Sequence, residues 1–284
     1  VVIKHDPTDV TGEIDRSLFS LVKYEKFLEE ATPVAKQVLS KLNIEGTYQR
    51  LATNPPAFEP SNDNQNPDQF NWNGFYINKL FDTEKYTGNK LVDKVRKMGM
   101  EPVLLLAYNL PWLSPNGDVT FSPTNPDEWV EFACAAIEAI NGSGDEYTPR
   151  IKYVEIWNEP DTELYWKGSK QKFYKMFNKV ARRIHKNYPG VKVGGPSALN
   201  YGSQWSLDFI DNCAEHVDFF VYHSYGEKPV HLANKIKDYA QYFREKTGNT
   251  EATVMITESD NWNLKGFAKT NYLVKRQFEL QSVR

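Results

Sequence analysis

Strand-length apolar runs alternate with helical stripes along most of this chain, and few architectures tolerate that order. The run Pro102–Ala107 is apolar without interruption through Val103-Leu-Leu-Leu106. A strand apolar on both sides is buried on both sides, as in a parallel sheet covered by helices. Further strands are expected at Ser17–Lys23, Thr47–Ala52, around Tyr153, at Val191–Gly194, Val217–Tyr222 and Thr253–Thr257. Between them lie helical periods. Trp129, Phe132, Ala133, Ala136, Ile137 and Ile140 fall on one stripe, and Phe173, Phe177, Val180, Ala181 and Ile184 on another. Helices are also expected at Pro33–Leu42 behind a Thr32 cap, Leu91–Met98, Trp205–Ala214, Ile236–Phe243 and Phe267–Val283.

The count is about seven βα units, one short of a closed barrel. The expected fold is therefore α/β, a (β/α)8 TIM barrel lacking strand 8 and helix 8, truncated or a fragment. Its catalytic domain would span residues 17–284. Residues 1–16 read as an N-terminal extension, with Val1-Val2-Ile3 as its only β-like run. An open doubly wound sheet is the other candidate, but the Gly-rich turn it carries after its first strand is absent. A polar loop rich in Asn and Pro follows the second strand, from Thr53 to about Asn71, and loops that long tend to be functional.

Composition removes several classes of function. The formal net charge is −3 with no long run of like charge, so no nucleic-acid partner is expected. No apolar run approaches the length of a membrane span. Cys134 and Cys213 both fall within expected helices, near their apolar faces, so buried free thiols are expected rather than a disulfide. Without a signal peptide at Val1, the chain is either cytoplasmic or secreted and already processed. Asn141-Gly-Ser143 matches a glycosylation acceptor, a triplet that arises often by chance. Aromatics make up 14% of the residues, which suits stacking on sugar faces and equally suits a large core.

The chemistry concentrates at two strand ends. Lys152-Tyr-Val-Glu-Ile-Trp-Asn-Glu-Pro-Asp161 is a β-rich run stopped at Pro160, which has no backbone donor to continue a ladder. Asn158 and Glu159 thus sit at the mouth of their strand, the end where barrel enzymes build active sites. Thr253-Val-Met-Ile-Thr-Glu258 again runs into a carboxylate. Cleaving a sugar acetal needs a proton donor for the departing oxygen and a second carboxylate at the anomeric carbon or its water. Glu159 is the candidate donor, with Trp157 and Pro160 desolvating it, and Glu258 is the candidate nucleophile. Neither a His-Glu-x-x-His motif nor paired cysteines point to a metal, and no cofactor is expected.

With these motifs the chain resembles the glycoside hydrolases of clan A, retaining (β/α)8 enzymes in which Asn-Glu ends strand four and a Glu ends strand seven. Within the clan it looks most like family 39, which includes β-xylosidases. The likeness rests on Glu155-Ile-Trp-Asn-Glu-Pro-Asp161 followed by Tyr165-Trp166, on Tyr108-Asn-Leu-Pro111-Trp112, and on Tyr222-His-Ser-Tyr225. It covers roughly residues 12 to 284, and families 5, 30 and 51 share much of the pattern. The resemblance implies that Tyr225 hydrogen-bonds Glu258, that His223 lies near Glu159, and that Arg50 stands against the nucleophile. It also makes Trp112, Trp166 and Trp262 candidate sugar platforms, and Tyr108 and Asn109 candidate pocket residues.

The expected activity is retaining hydrolysis of a β-linked oligo- or polysaccharide. The family's strand-eight tryptophan is missing, and a C-terminal segment or an accessory β-sandwich joined through the N-terminal run is expected in a longer protein. Two rivals fit the same sequence: a non-catalytic saccharide-binding barrel, and a fragment stable only beside a complementing segment.

Overall fold

The computed structural model describes residues 20–22, 46–53, 55, 88–199, 203–250, 252–260 and 263–265. The expected helices at 33–42 and 267–283, the N-terminal extension 1–16 with its 1–3 run, nearly all of the 53–71 loop, and Trp262 lie outside these residues.

Among the described residues seven parallel strands form one sheet in sequence order. They are β1 (Ser20–Val22), β2 (Tyr48–Ala52), β3 (Glu101–Leu106), β4 (Tyr153–Ile156), β5 (Lys192–Ala198), β6 (Phe219–Tyr225) and β7 (Thr253–Asp260). The sheet curls until Cα atoms of β1 and β7 come within 8 Å, yet these two strands are not hydrogen-bonded to each other. Among the described residues no eighth strand closes the ring. The architecture is thus the expected α/β barrel, with no eighth strand among the described residues.

Among the described residues five helices cover the outside: α1 (Gly88–Lys97), α2 (Pro126–Asn141), α3 (Lys170–Asn187), α4 (Gln204–Cys213) and α5 (Pro229–Thr247). Their starts follow local chemistry. Asn125 caps α2 by accepting from the Asp127 N–H with Pro126 in the first turn, and Ser169 and Ser203 cap α3 and α4 in the same way. The α2 and α3 stripes read from sequence are buried against the sheet. Phe209 of α4 packs edge-on to Phe177 of α3 with ring centroids 4.9 Å apart, and Phe220 of β6 stacks on Tyr239 of α5. Both cysteines are buried and free. Asn141 is buried too, with its amide spent on the backbone of Ile151 in both directions, so the asparagine of the acceptor triplet is not accessible. Among the described residues no helix is long and apolar enough to cross a membrane.

Three strands run beyond their expected limits, and each difference bears on the barrel mouth. Strand β5 passes through Gly194-Gly-Pro196 to Ala198, β6 reaches Tyr225, and β7 continues past Glu258 to Asp260. By contrast β4 stops at Ile156, before Pro160, because Trp157 takes a left-handed φ of 68°. Gly194 is required where it stands: a Cβ there would lie 2.0 Å from the Phe219 ring inside the barrel.

Two irregularities interrupt the ladders near the mouth. Pro196 pairs with Val221 and Ala198 with Tyr222, leaving Ser197 as an extra residue on β5. Ile256 pairs with Tyr222 and Glu258 with His223, leaving Thr257 extra on β7. A bulge breaks the in–out alternation, so neighbouring residues reach the same side. That is how Thr257 and Glu258 both send side chains into the barrel.

Candidate active site

Arg50 of β2 is the centre of the mouth. It is only 7% exposed and donates four hydrogen bonds. Its Nε and Nη2 grip the two oxygens of Glu155 at 2.7 and 2.6 Å, a bidentate pair. Nη2 also reaches Asn158 Oδ1 at 3.0 Å, and Nη1 reaches Glu258 Oε1 at 2.5 Å. Burial works against the guanidinium charge, but the facing carboxylates of Glu155 and Glu258 outweigh it and hold the pKa above the ordinary arginine value.

Glu258 is bound on both sides. Oε1 takes the Arg50 bond and Oε2 accepts a short hydrogen bond from the Tyr225 hydroxyl. Its side chain keeps 20% exposure, so it is open to the cleft. Burial pushes its pKa up, while Arg50, His223 and the Tyr225 hydroxyl pull it down by more, and the net direction is down. The group is therefore held as a carboxylate. The Tyr225 phenol is pushed the opposite way by burial and by its carboxylate partner, so it stays a donor.

Glu159 follows the end of β4 in a left-handed conformation with φ 49°, and its N–H is fixed to Ser197 O at 3.0 Å. Non-glycine residues in that region carry strain that surrounding structure must hold, often at functional sites. Its Oε1 lies 2.6 Å from His223 Nδ1, and the other ring nitrogen of His223 is buried with no hydrogen-bond partner among the described residues. His223 and Tyr225 alternate on the inward side of β6, so one strand supplies a partner to each carboxylate. Oxygen atoms of Glu159 and Glu258 and a ring nitrogen of His223 all lie within 4.8 Å of one another. Asn158 Nδ2 donates to the Tyr108 hydroxyl at 3.0 Å, bringing β3's exit loop to the same place.

The structure thus gathers Arg50, Tyr108, Asn158, Glu159, His223, Tyr225 and Glu258 at one end of the barrel. It does not bring Asn109, Trp112 or Trp166 to the cleft. Asn109 is buried, and its amide is spent on Leu113 O, Phe121 O and the Leu110 N–H, holding the loop instead of facing the cleft. Trp166 is also buried. A turn from Thr162 tucks it edge-on against Trp157 at 4.9 Å, so it offers no face to a sugar. Trp112 is half-buried and packs against the core. Trp262 lies outside the described residues.

Four side chains at the mouth were given no role from sequence. Glu155, Ser197 and Thr257 form a buried hydrogen-bonded group with Arg50. Tyr165 stacks on Tyr108 with centroids 5.7 Å apart and 8° between planes; burial and both glutamates push its phenol pKa up. Strand periodicity is the signal that could have found Glu155, since a carboxylate between Val154 and Ile156 must face the barrel interior.

A parallel α/β barrel with paired carboxylates at its C-terminal mouth, one held ionised by a guanidinium, defines the glycosidase type of site. Comparison with known proteins makes this specific. The model for glycosyl hydrolases family 39 matches residues 89–259, more than half of the chain. The chain belongs to that family. It is 28% identical over 170 residues to a beta-xylosidase of Geobacillus stearothermophilus, a match covering 55% of this chain and 32% of that protein. The chain thus spans about a third of the length of that curated relative. Among solved structures, a monomeric beta-xylosidase from Caulobacter crescentus CB15 superposes with TM-score 0.65 at 15% identity, over 93% of this chain and 57% of that one. A glucosidase from Croceicoccus marinus gives TM-score 0.65 at 18% identity, over 88% and 53%.

Proposed function

We propose that this chain carries the catalytic centre of a retaining glycosidase acting on a β-linked saccharide. The observation that carries the reading is the pair Glu159 and Glu258, with oxygens within 4.8 Å across the mouth. Retaining enzymes hold their carboxyl groups about 5–5.5 Å apart, while inverting ones leave about 6.5–9.5 Å for a water. In this reading Glu159 gives its proton to the departing oxygen while Glu258 attacks the anomeric carbon, forming a glycosyl ester. Glu159, now a carboxylate, takes a proton from water, which adds to that carbon as the Glu258–sugar bond breaks. Arg50 and Tyr225 keep Glu258 charged and aimed, and Asn158 stands where a sugar hydroxyl would lie. The relatives' name supports β-xylosides as the first substrates to try. The strand expected to complete the barrel is part of the same proposal, to be supplied by the rest of a longer protein.

The test is Glu159→Gln and Glu258→Gln against aryl β-xylosides and β-glucosides, with the anomer of the first product followed by NMR. The expected result is turnover with retained β-configuration, abolished in Glu258→Gln. Azide added to Glu159→Ala should be trapped as the β-glycosyl azide. Equal turnover in wild type and both variants, or an inverted product, would overturn the assignment, and saccharide binding without any turnover would favour a saccharide-binding barrel.

A further inference from the structure

Glu155 is entirely buried inside the barrel, yet every hydrogen bond it accepts leads to the two carboxylates at the mouth. Oε2 accepts from Arg50 Nε at 2.7 Å. Oε1 accepts from Arg50 Nη2 at 2.6 Å, from Thr257 Oγ1 at 3.0 Å and, at short range, from Ser197 Oγ. One carboxylate on β4 therefore ties together β2, β5 and β7.

Its partners are the immediate supports of the pair. Thr257 precedes Glu258 in the chain. Ser197 supplies the carbonyl that fixes the Glu159 N–H at 3.0 Å. Arg50 uses two of its donors on Glu155, which leaves Nη1 directed at Glu258 and an Nη2 hydrogen for Asn158. Ser197 and Thr257 are also the two extra residues of the β5 and β7 irregularities. Regular alternation would not deliver both hydroxyls inward beside their functional neighbours. The bulges and the buried carboxylate make one device.

We infer that Glu155 is a positioning residue: it clamps Arg50, Ser197 and Thr257 so that Glu159 and Glu258 keep their separation and orientation. The inference rests on the glycosidase reading above. It assigns Glu155 no contact with substrate. Three charges share the interior: Arg50 lies between Glu155 and Glu258. The other titratable groups facing Glu258 are Glu159 just past β4, Tyr165 in the loop that follows it, and His223 and Tyr225 of β6. Removing the Glu155 charge while keeping its shape therefore has two separable effects. The clamp loosens, because an amide offers one acceptor oxygen where the carboxylate offered two. The remaining charge of Arg50 is then offset by Glu258 alone, which favours the ionised form of Glu258.

The test is Glu155→Gln in the full chain with an aryl β-glycoside that wild type hydrolyses, normalised to active sites titrated with a 2-fluoro glycoside. Misplacement by about an ångström costs on the order of a hundredfold, so kcat should fall roughly 10- to 100-fold, with KM changed less than about threefold. The acid limb of kcat/KM should move to lower pH, which a merely structural residue would not do. Thr257→Val keeps every charge and most of the packing, and it tests the same device if the first variant folds poorly. It should lose about two- to tenfold in kcat, the worth of one hydrogen bond. That loss should vanish in the Glu155→Gln background if the two residues act as one unit. A kcat within twofold of wild type in both variants, or an acid limb that stays or rises in Glu155→Gln, would overturn the inference. Wild type and Glu258→Gln run in the same assay separate the two claims. If wild type does not turn over, or Glu258→Gln matches it, the glycosidase reading falls and takes this one with it. If those controls behave and only the Glu155 and Thr257 results fail, the positioning role alone is refuted.

Discussion

Replacing Arg50 by methionine removes a buried cation while keeping most of the length of its stem. The side chain is 7% exposed and makes four hydrogen bonds, three of them to carboxylate oxygens at 2.5–2.7 Å. Methionine refills much of the volume, so the cavity contribution is small and the electrostatic loss dominates. Glu155 would keep only the Ser197 and Thr257 hydroxyls, in a site with no exposure. Removing one partner of a buried pair costs about 3–5 kcal/mol, because an uncompensated charge is left behind. At about 2–4 °C per kcal/mol, the melting midpoint should fall by roughly 6–20 °C.

The same variant has a signed pH dependence. In wild type the folded-state pKa of Glu258 is depressed. The stability it contributes is present above the ordinary glutamate value of about 4.3 and is lost as pH falls through the lower folded value. Without Arg50 two of the contributions that lower this pKa are gone, so the folded value lies higher than in wild type and less of that stability is present at neutral pH. The gap between wild type and Arg50→Met should therefore be smallest near pH 4 and widest near pH 7. Urea unfolding at several pH values measures it. A gap under about 1 kcal/mol at pH 7, or one that does not change with pH, would refute the argument.

Other consequences are simpler to check. The acid limb of kcat/KM should fall below the ordinary glutamate range of about 4.3, since Glu258 is the group held ionised there; a limb at or above that value contradicts the electrostatics. Gly194→Ala should cost about 1–3 kcal/mol by overpacking, because its Cβ would sit 2.0 Å from the Phe219 ring. Adding Phe219→Leu should recover part of that loss in thermal melts. Burial pushes the Cys134 thiol up to about 11 and Cys213 higher still, so neither should react with a thiol reagent at pH 8 until the chain unfolds; prompt labelling of native protein would contradict this.

Apolar periodicity made the outside of the barrel legible. The α2 and α3 stripes bury as read because a helix covering a sheet has one apolar side and nothing else to satisfy. The strand ends were harder. Gly194-Gly-Pro196 has the look of a chain break, yet β5 runs through it because Phe219 and Phe177 occupy the space that side chains there would need. Bulges leave no residue signature, so the inward turns of Ser197 and of Glu258 beside Thr257 were invisible. Short motifs named the residues now gathered at the mouth, and named Asn109 and Trp166 as well, which are spent on holding a loop and packing the core. A polar or aromatic side chain beside a strand end reads the same whether it lines a cleft or pins a loop. Glu155 stands in the same motif as Glu159, but a charge inside an apolar strand carries no role in its letters, only the inward face that strand periodicity gives it.

A buried ion pair is weak evidence for stability, and that separates two accounts of Arg50 and Glu155. If the pair exists to hold the barrel together, removing both charges should be worse than removing either. If it exists to hold the mouth in register, an apolar pair of similar volume should fold well and do nothing. Replacing a buried pair by packed hydrophobic residues is often neutral or stabilising by about 1–4 kcal/mol. Arg50→Met with Glu155→Leu should thus be more stable than Arg50→Met alone by at least about 1 kcal/mol, even though the Ser197 and Thr257 hydroxyls lose their acceptor. Its turnover should stay as low as that of the single variant, because Glu258 has lost the guanidinium that offsets its burial. Urea unfolding at pH 7 beside a glycoside assay decides the matter. A double variant less stable than both singles would show that the pair serves the scaffold, and the case for a charged interior built around two glutamates would go with it.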